Sequence, residues 1–225
     1  MVRLVLFDID GTLIHTGGAG VKAFGRVFAT QFGLENATDG ISFAGRTDGG
    51  IVREVFHRHG LEPSRENLDR FFDAYVFLLD FYLGQLHGGP QPGVPEWLEA
   101  LRGLSPRPVI GLLTGNIRLG AEIKLRHFGL WETFQTGGFA DDHVDRNEIA
   151  RAARRRGQAW FEDPLQPEEV LVVGDTPLDV ACGRHIGARV LAVATGRHEV
   201  DELAACSPDW TVRDLREISV REVCG

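Results

Sequence analysis

Four short apolar runs without polar alternation constrain the fold more than any other feature of this chain. They are LVLF (4–7), VIGLL (109–113), VLVV (170–173) and VLAVA (190–194). A strand that is apolar on both faces is typical of a parallel sheet covered by helices on both sides. Segments of helical period separate the last three runs and cover residues 117–128, 148–156 and 178–186. We therefore predict an α/β fold whose core is a doubly wound parallel sheet.

The region between the first and second runs has a different pattern. It shows helical periodicity but no convincing buried strand, and its predicted helices lie near residues 20–32, 48–59 and 64–86. The Gly- and Pro-rich segments HTGG (15–18) and HGGPQPG (87–93) flank it, and that composition is typical of linkers. We predict a helical domain over 15–92, inserted into a core domain of 1–14 and 93–225. The linkers would let the insertion move over the core.

Composition argues against several classes of partner, although it leaves room for a local basic site. Acidic residues outnumber basic ones by 32 to 24, and the net charge of −8 argues against nucleic acid or an anionic membrane as a general partner. The three cysteines lack C-x-x-C spacing, so we expect reduced thiols. No apolar stretch approaches the roughly 20 residues of a membrane helix. The first apolar run leads directly into charged residues, unlike a signal peptide, and we expect a cytoplasmic protein of undetermined oligomeric state.

Polar and acidic residues follow three of the four runs. They are Asp8 and Asp10 after the first, Thr114, Gly115 and Asn116 after the second, and Asp175 and Asp179 after the third. Ligands of parallel sheets gather outside the carboxyl ends of the strands, so we expect these residues to share one pocket. Four crowded carboxylates repel one another unless a cation binds, and Mg²⁺ prefers such oxygen ligands.

We predict Asp8 and Asp175 as direct Mg²⁺ ligands, with Asp179 direct or one water away. Helix capping is the alternative for these aspartates, and it is strongest for Asp179. A carboxylate beside a metal suits nucleophilic attack on phosphorus, so Asp8 is the predicted nucleophile. Asp10 would protonate the leaving oxygen and then deprotonate the attacking water.

The residues after the second run are candidates for phosphate binding. The Thr114 hydroxyl and the amides of Gly115 and Asn116 lie where a helix begins, and such groups can meet the charge of a phosphoryl group. An ordinary turn between strand and helix is the alternative.

The motifs FDIDGTL (7–13), LLTGN (112–116) and VVGDTPLDV (172–180) resemble those of the haloacid dehalogenase superfamily. Within it, the chain is similar to phosphatases related to phosphoglycolate phosphatase and β-phosphoglucomutase, with a helical insertion where that group has its C1 cap. The resemblance implies a Rossmann-like core, a mobile cap, Mg²⁺ and phosphoryl transfer through Asp8. It also implies the backbone carbonyl of Asp10 as a metal ligand. True dehalogenases of the superfamily lack the second aspartate, so Asp10 favours phosphate chemistry.

The remaining motif of the superfamily is normally a lysine, and this chain has only two lysines. Lys22 lies in the insertion, and Lys124 lies earlier than the usual position. Arg146, in DDHVDRNEIA (141–150), stands where the lysine is expected. We predict that Arg146 holds the nucleophile and the phosphoryl oxygens with its fixed charge. A surface arginine at a helix start, and Lys124 as the substitute, are the alternatives.

In this superfamily the cap selects the substrate, and the segment GRTDGG (45–50) lies where a cap loop would face the pocket. We predict that Arg46 binds a carboxylate or second phosphate of the ligand. A helix-capping turn around Thr47 and Asp48 is the alternative.

The favoured function is a Mg²⁺-dependent phosphatase of a small phosphorylated metabolite. A phosphosugar mutase is the first alternative; it would need a bisphosphate activator and would release little phosphate. Phosphonate cleavage is disfavoured because it needs a Schiff-base lysine, for which the insertion offers only Lys22. A non-catalytic phospho-receiver or binding protein is the alternative from another class. Asp10 counts against it, because a protein that keeps its aspartyl-phosphate has no use for an adjacent general base.

Overall fold

The computed structural model describes residues 1–225, and a parallel sheet lies at its centre. The strands are β1 (Leu4–Phe7), β2 (Ile14–His15), β3 (Gly89–Pro90), β4 (Val109–Leu113), β5 (Thr136–Gly138), β6 (Val170–Gly174), β7 (Arg189–Val193) and β8 (Trp210–Val212). The helices are α1 (Ala19–Phe32), α2 (Asp48–Arg58), α3 (Arg65–Leu83), α4 (Val94–Arg102), α5 (Arg118–His127), α6 (Arg146–Gln158), α7 (Pro177–His185), α8 (Val200–Ala204) and α9 (Val220–Cys224). Three short 3₁₀ helices cover Trp131–Thr133, Pro167–Glu169 and Leu215–Glu217.

The sheet has the order β5-β4-β1-β6-β7-β8, and all its pairs are parallel. Leu4 in β1 lies opposite Val109 in β4 on one side and Val170 in β6 on the other. After β1, the chain first adds β4 and β5 on one side of β1 and then adds β6, β7 and β8 on its other side. Such a reversal opens a crevice at the carboxyl ends of the strands. The predicted doubly wound α/β fold is confirmed, with the four apolar runs as its four central strands.

The burial of β1 on both faces explains why its sequence is apolar throughout. Val5 and Phe7 belong to one buried cluster, whereas Leu4 and Leu6 belong to another that includes Ile149 of α6. Alternate side chains of a strand point to opposite faces of the sheet, so both faces of β1 need apolar residues. This packing holds the strand rigidly and fixes the position of the residues that follow it.

Helices α1, α2 and α3 pack together as the helical insertion around a separate apolar cluster. Phe28 and Phe71 lie at its centre, with ring centroids 4.6 Å apart. On α3 the buried residues Phe71, Tyr75 and Leu79 recur every four positions, which is the spacing of one helix face. The predicted α3 extended to residue 86, but the helix ends at Leu83.

A two-stranded antiparallel ribbon of β2 and β3 joins the insertion to the sheet. Ile14 lies opposite Pro90, and the amide of Gln91 donates to the carbonyl of Leu13 at 2.9 Å. The predicted domain boundaries fall at or next to this ribbon; the division into two domains and the mobility of the linkers stay predictions. None of the helices combines the length and apolar character that crossing a membrane requires.

Candidate active site

A cavity of about 350 Å³ lies at the carboxyl ends of β1, β4 and β6, beneath the helical insertion. Most of the predicted site residues line it: Asp8, Asp10, Arg46, Thr114, Gly115, Asn116, Arg146 and Asp175. Asp179 does not line the cavity; it is fully buried behind it. The structure therefore brings together residues that lie up to 167 positions apart in the chain, as the strand-end argument predicts.

Three buried carboxylates form the acidic part of this site. Asp8, Asp175 and Asp179 each offer an oxygen atom, and these atoms lie within 4.8 Å of one another. Burial raises the pKa of Asp8 to about 6, although the charge of Arg146 opposes the shift. Burial, with Asp179 and Asp8 nearby, raises the pKa of Asp175 well above its usual range. Carboxylates this close favour a divalent cation, and this cluster could hold one.

The three carboxylates differ in how free they are to bind a metal. Asp179 accepts from the Thr176 hydroxyl at 2.6 Å and from the Thr176 amide at 2.9 Å, and its other oxygen is bound by Arg146. With Thr176 it forms the capping box that begins α7. The capping role considered for Asp179 is therefore present. Asp8 and Asp175 line the cavity directly, with Asp175 oriented by a 2.7 Å hydrogen bond from the Thr12 hydroxyl.

Arg146 is the first residue of α6 and projects into this acidic cluster. One guanidinium nitrogen lies 3.0 Å from Asp8 Oδ1 and also pairs with Asp179. The other terminal nitrogen donates to the carbonyl of Gly45, in the helical insertion, at 3.2 Å. Burial by itself lowers the pKa of Arg146. The charges of Asp179 and Asp8 together have the larger effect and hold this pKa well above its usual range. The surface alternative for Arg146 is wrong, because the residue is only 7 % exposed.

Lys124, considered above only as an alternative to Arg146, forms a second ion pair, in which the lysine is buried and its partner Asp10 is partly exposed. Its ammonium lies 2.6 Å from Asp10 Oδ2 and 2.6 Å from Asn116 Oδ1. The Asn116 amide group also donates to Asp10 Oδ2 and to the Thr114 hydroxyl, each at 2.8 Å. The one signal in the sequence is that Lys124 follows Asn116 by about two helical turns. Because helix side chains tilt towards the N-terminus, the long lysine side chain can extend back along α5 towards Asn116.

Residues 45–48 of the helical insertion dock on the loop that follows β4. The amide of Asp48 donates to the carbonyl of Gly115 at 2.7 Å, and the Asp48 carboxylate accepts from the amide of Ile117 at 2.8 Å. Gly115 must be glycine here, because a Cβ atom would overlap the carbonyl oxygen of Arg46. Burial raises the pKa of Asp48 to about 7. The sequence alone does not indicate this contact, since Asp48 has the pattern of an ordinary first-turn helix residue.

The guanidinium of Arg46 is paired within the insertion. It lies 2.5 Å from Glu54 Oε2 and donates to the carbonyl of Ser42 at 3.4 Å. The neighbouring Thr47 hydroxyl accepts from the amide of Gly50, so the helix-capping turn considered for this segment is present. Recognition of an anion by Arg46 stays a prediction, and it would require the Arg46–Glu54 pair to open.

Known proteins resemble this chain in sequence and in fold. The family model described as "Haloacid dehalogenase-like hydrolase" matches residues 5–193. The putative pyrophosphatase PpaX of Clostridium perfringens (strain 13 / Type A) is 26% identical over 222 residues, which cover 97% of this chain and 96% of that protein. The phosphoglycolate phosphatase of Chromobacterium violaceum is 26% identical over 221 residues, which cover 96% and 95%. The crystal structure of CbbY from Rhodobacter sphaeroides in complex with phosphate has a TM-score of 0.77 at 18% identity, and the match covers 99% of both chains.

Proposed function

This chain belongs to the haloacid dehalogenase-like hydrolases and is a phosphatase of that family, and on this premise we propose how it acts and on what. The proposed reaction is the Mg²⁺-dependent hydrolysis of a small phosphorylated metabolite through an aspartyl-phosphate on Asp8. The resemblance predicted from the motifs is confirmed, as is the class of enzyme.

One observation carries the proposal. Asp8 lies at the wall of the cavity, 3.0 Å from the buried cation Arg146 and beside carboxylates that could share a metal. Two residues further on, Asp10 is held by Lys124 and keeps 42% of its side chain exposed. A fixed nucleophile next to a more accessible carboxyl group is the arrangement that a two-step phosphoryl transfer needs.

In the first step, an oxygen of Asp8 attacks phosphorus and the bond from phosphorus to the leaving oxygen breaks. Asp10 donates a proton to that oxygen, so the product leaves as an alcohol. Arg146 fixes the orientation of Asp8 and stabilises the negative charge of the phosphoryl oxygens. The Thr114 hydroxyl and the amide of Gly115, at the end of β4, would bind the same group. The amide of Asn116, predicted with them, donates to the Thr114 hydroxyl at 3.3 Å and would have to leave it to reach a phosphate.

In the second step, Asp10 accepts a proton from water, which attacks the aspartyl-phosphate and releases inorganic phosphate with Asp8 restored. Mg²⁺ bound by Asp8, Asp175 and the carbonyl of Asp10 would supply the positive charge that these carboxylates and the phosphate require. Asp179, already bound by Arg146 and Thr176, would orient that set from behind or through one water.

The test is phosphate release from a panel of phosphorylated metabolites, measured with and without Mg²⁺ for wild type and Asp8→Asn. We expect metal-dependent turnover in wild type and a fall of more than about 10³-fold, or roughly 4 kcal/mol of barrier, in the variant. Asp73→Asn is the matched control, because Asp73 is an exposed aspartate of α3 outside the cavity. Turnover by Asp8→Asn close to that of wild type would overturn the role of Asp8.

The alternatives give different results in the same samples. A mutase would release little phosphate and would show isomerisation stimulated by a sugar bisphosphate. A phospho-receiver would retain a stable label on Asp8. For Arg46, the substitution Arg46→Ala separates recognition from structure, because an equal loss for all substrates would count against a recognition role.

A further inference from the structure

The roof of the cavity, formed by the helical insertion, contains an apolar patch beside the charged side chains of Arg46 and Asp48. The patch consists of Val21 and Phe24 of α1, Phe43 of the following loop, Ile51 of α2 and Tyr75 of α3. The reacting carboxylates Asp8, Asp10 and Asp175 come instead from the loops of the sheet below. A bound phosphate ester would place its phosphoryl group against the carboxylates and its leaving group against this roof.

The roof is also rigid, because its aromatic rings pack against one another. The ring of Phe24 contacts the rings of Phe43 and Tyr75 edge to face, with centroids 5.3 Å and 4.7 Å away. Phe24 and Tyr75 are each only 1% exposed and hold Phe43 in place, whereas half-buried Phe43 and Val21, which is 41% exposed, supply the apolar area that a leaving group can cover. A preformed apolar surface of this kind favours an apolar leaving group, since contact removes nonpolar area from water on both sides.

The cations near the roof are already neutralised inside the protein. Arg46 pairs with Glu54, Lys124 pairs with Asp10, and Arg146 is shared between two aspartates. The remaining cation of the lining is Arg197, an exposed residue. A second phosphate or a carboxylate on the leaving group would have to break one of these pairs or reach out to Arg197.

One corner of the roof is polar. A Cβ atom on Gly20 would lie 3.6 Å from the Lys124 ammonium and 3.9 Å from the Tyr75 hydroxyl, so both groups face the space beside this glycine. A hydroxyl group on the leaving group could exchange hydrogen bonds there without disturbing the ion pairs. The corner therefore accepts one uncharged polar group within an otherwise apolar surface.

We propose that the substrates are phosphate monoesters of alkyl or aryl alcohols, with at most one uncharged polar group on the leaving group. The inference rests on the proposed phosphatase function and narrows it. It excludes pyrophosphate and phosphorylated carboxylic acids as preferred substrates, in contrast to the activities named for two of the relatives. It also competes with the prediction that Arg46 binds an anion of the ligand, because it leaves Arg46 paired with Glu54. The cavity, about 350 Å³, is of the size that holds small organic ligands.

The test compares kcat/KM for ethyl, butyl and hexyl phosphate with that for 2-phosphoglycolate and pyrophosphate. The three alkyl alcohols have similar acidity, so differences among them report binding rather than leaving-group chemistry. We expect kcat/KM to rise about threefold for each added methylene until the cavity is filled. 2-Phosphoglycolate, which has a two-carbon leaving group with a carboxylate, should fall below ethyl phosphate. A flat alkyl series, or a preference for either anionic compound over hexyl phosphate, would overturn the inference.

Phe43→Ala tests the roof directly. Phe43 is half-buried in a loop, and its loss should lower the ratio of hexyl to ethyl phosphate turnover by about tenfold. Phe77→Ala is the control, because Phe77 is 78% exposed on α3 and lies outside the cavity. Should Phe43→Ala fold poorly, Val21→Ser repeats the test at a helix position that is 41% exposed. An unchanged ratio in a folded roof variant would count against the apolar surface.

The two proposals fail in distinguishable ways. If no compound releases phosphate, including the activated ester p-nitrophenyl phosphate, the phosphatase function fails and this inference falls with it. If phosphate is released but the alkyl series is flat or reversed, only the inference on the leaving group fails.

Discussion

Asp8 and Asp10 lie two residues apart, yet the fold gives them different surroundings and different cations. The side chain of Asp8 is 6% exposed and pairs with Arg146, which also pairs with Asp179. The side chain of Asp10 is 42% exposed and pairs with Lys124, which is itself only 5% exposed. Each aspartate of the FDID segment is therefore neutralised separately.

The difference between the two pairs follows from the shapes of the two cations. Arginine presents a planar fork of donors, so Arg146 can contact two carboxylates and the carbonyls of Gly45 and Leu113 together. Lysine is a compact point charge, and Lys124 serves one carboxylate and one amide oxygen. The buried pair of Asp8 with Arg146 is suited to a nucleophile that must keep one orientation. The partly exposed pair of Asp10 with Lys124 is suited to a group that must exchange protons.

Arg146→Ala should break the first pair and have the largest effect. It leaves Asp8 and Asp179 buried without a cation, so we expect metal-free stability to fall by about 3–5 kcal/mol. The turnover should fall by about 10²–10³-fold, the size of effect seen when one donor to a developing charge is removed. Urea unfolding and phosphate release measure the two losses. The control is Arg151→Ala on the exposed face of α6, and turnover within a few-fold of wild type in Arg146→Ala would show that Arg146 is dispensable.

Lys124→Met should break the second pair at a smaller cost in stability. Asp10 is partly exposed and can be solvated when its partner is lost, so we expect a loss of about 1–2 kcal/mol. Turnover should fall by about 10–100-fold, because proton transfer by a positioned acid or base contributes 10²–10⁴-fold and Asp10 would lose part of its positioning. The pH profile of kcat should also move. A fall in turnover equal to that of Arg146→Ala, without a change in the pH profile, would contradict the separate role.

Arg146→Lys sharpens the comparison by retaining the charge and removing the fork. One ammonium cannot reproduce all the contacts with Asp8, Asp179, Gly45 and Leu113, so we expect turnover to fall by roughly tenfold. The measurement is kcat and KM with Mg²⁺ present. Activity equal to that of wild type would show that charge alone matters at this position.

Asp48→Asn tests a buried carboxyl group near Lys124 that belongs to neither pair. The pKa of Asp48 rises from 3.8 to about 7, chiefly through burial, with Lys124 opposing and Asp10 and Asp141 adding to the shift. At a pH between these two pKa values, the Asp48 carboxyl group is protonated in the folded state and ionised in the unfolded state. Stability should therefore be full below about pH 4 and decrease as the pH rises towards 7, by up to about 1.4 kcal/mol per pH unit.

Asparagine at position 48 keeps an oxygen for the amide of Ile117 but does not titrate. Asp8 and Asp175 also have raised pKa values and add dependence of the same sign, so the informative quantity is the difference between the two proteins. Urea unfolding without metal at pH 5 and pH 7 should show a smaller decrease in Asp48→Asn than in wild type. Equal decreases would mean that Asp48 is ionised in the folded protein at both pH values.

Short-range patterns in the chain were enough to predict the central strands and the residues that follow them. The run LVLF coincides with β1, and VIGLL coincides with β4, because two-sided burial requires apolar residues at every position. The edge strands β5 and β8 were not predicted. Each has only three residues: β5 reads TGG and has no apolar side chain, and β8 reads WTV, which is too short to show a pattern. Helix α4 was also missed; its Pro at the second position is compatible with a helix start.

The amino-acid sequence was sufficient to indicate the parallel sheet, the helical insertion and the gathering of aspartates at three strand ends, because each depends on neighbouring residues and on the direction of the strands. Tertiary packing alone decided how the cations are divided. Lys124 reaches Asp10 across 114 positions, and Arg146 reaches Gly45 across 101. Such pairs form only when helices from separate parts of the chain pack over the same crevice. The partner of a long charged side chain therefore cannot be predicted from the residues next to it in the sequence.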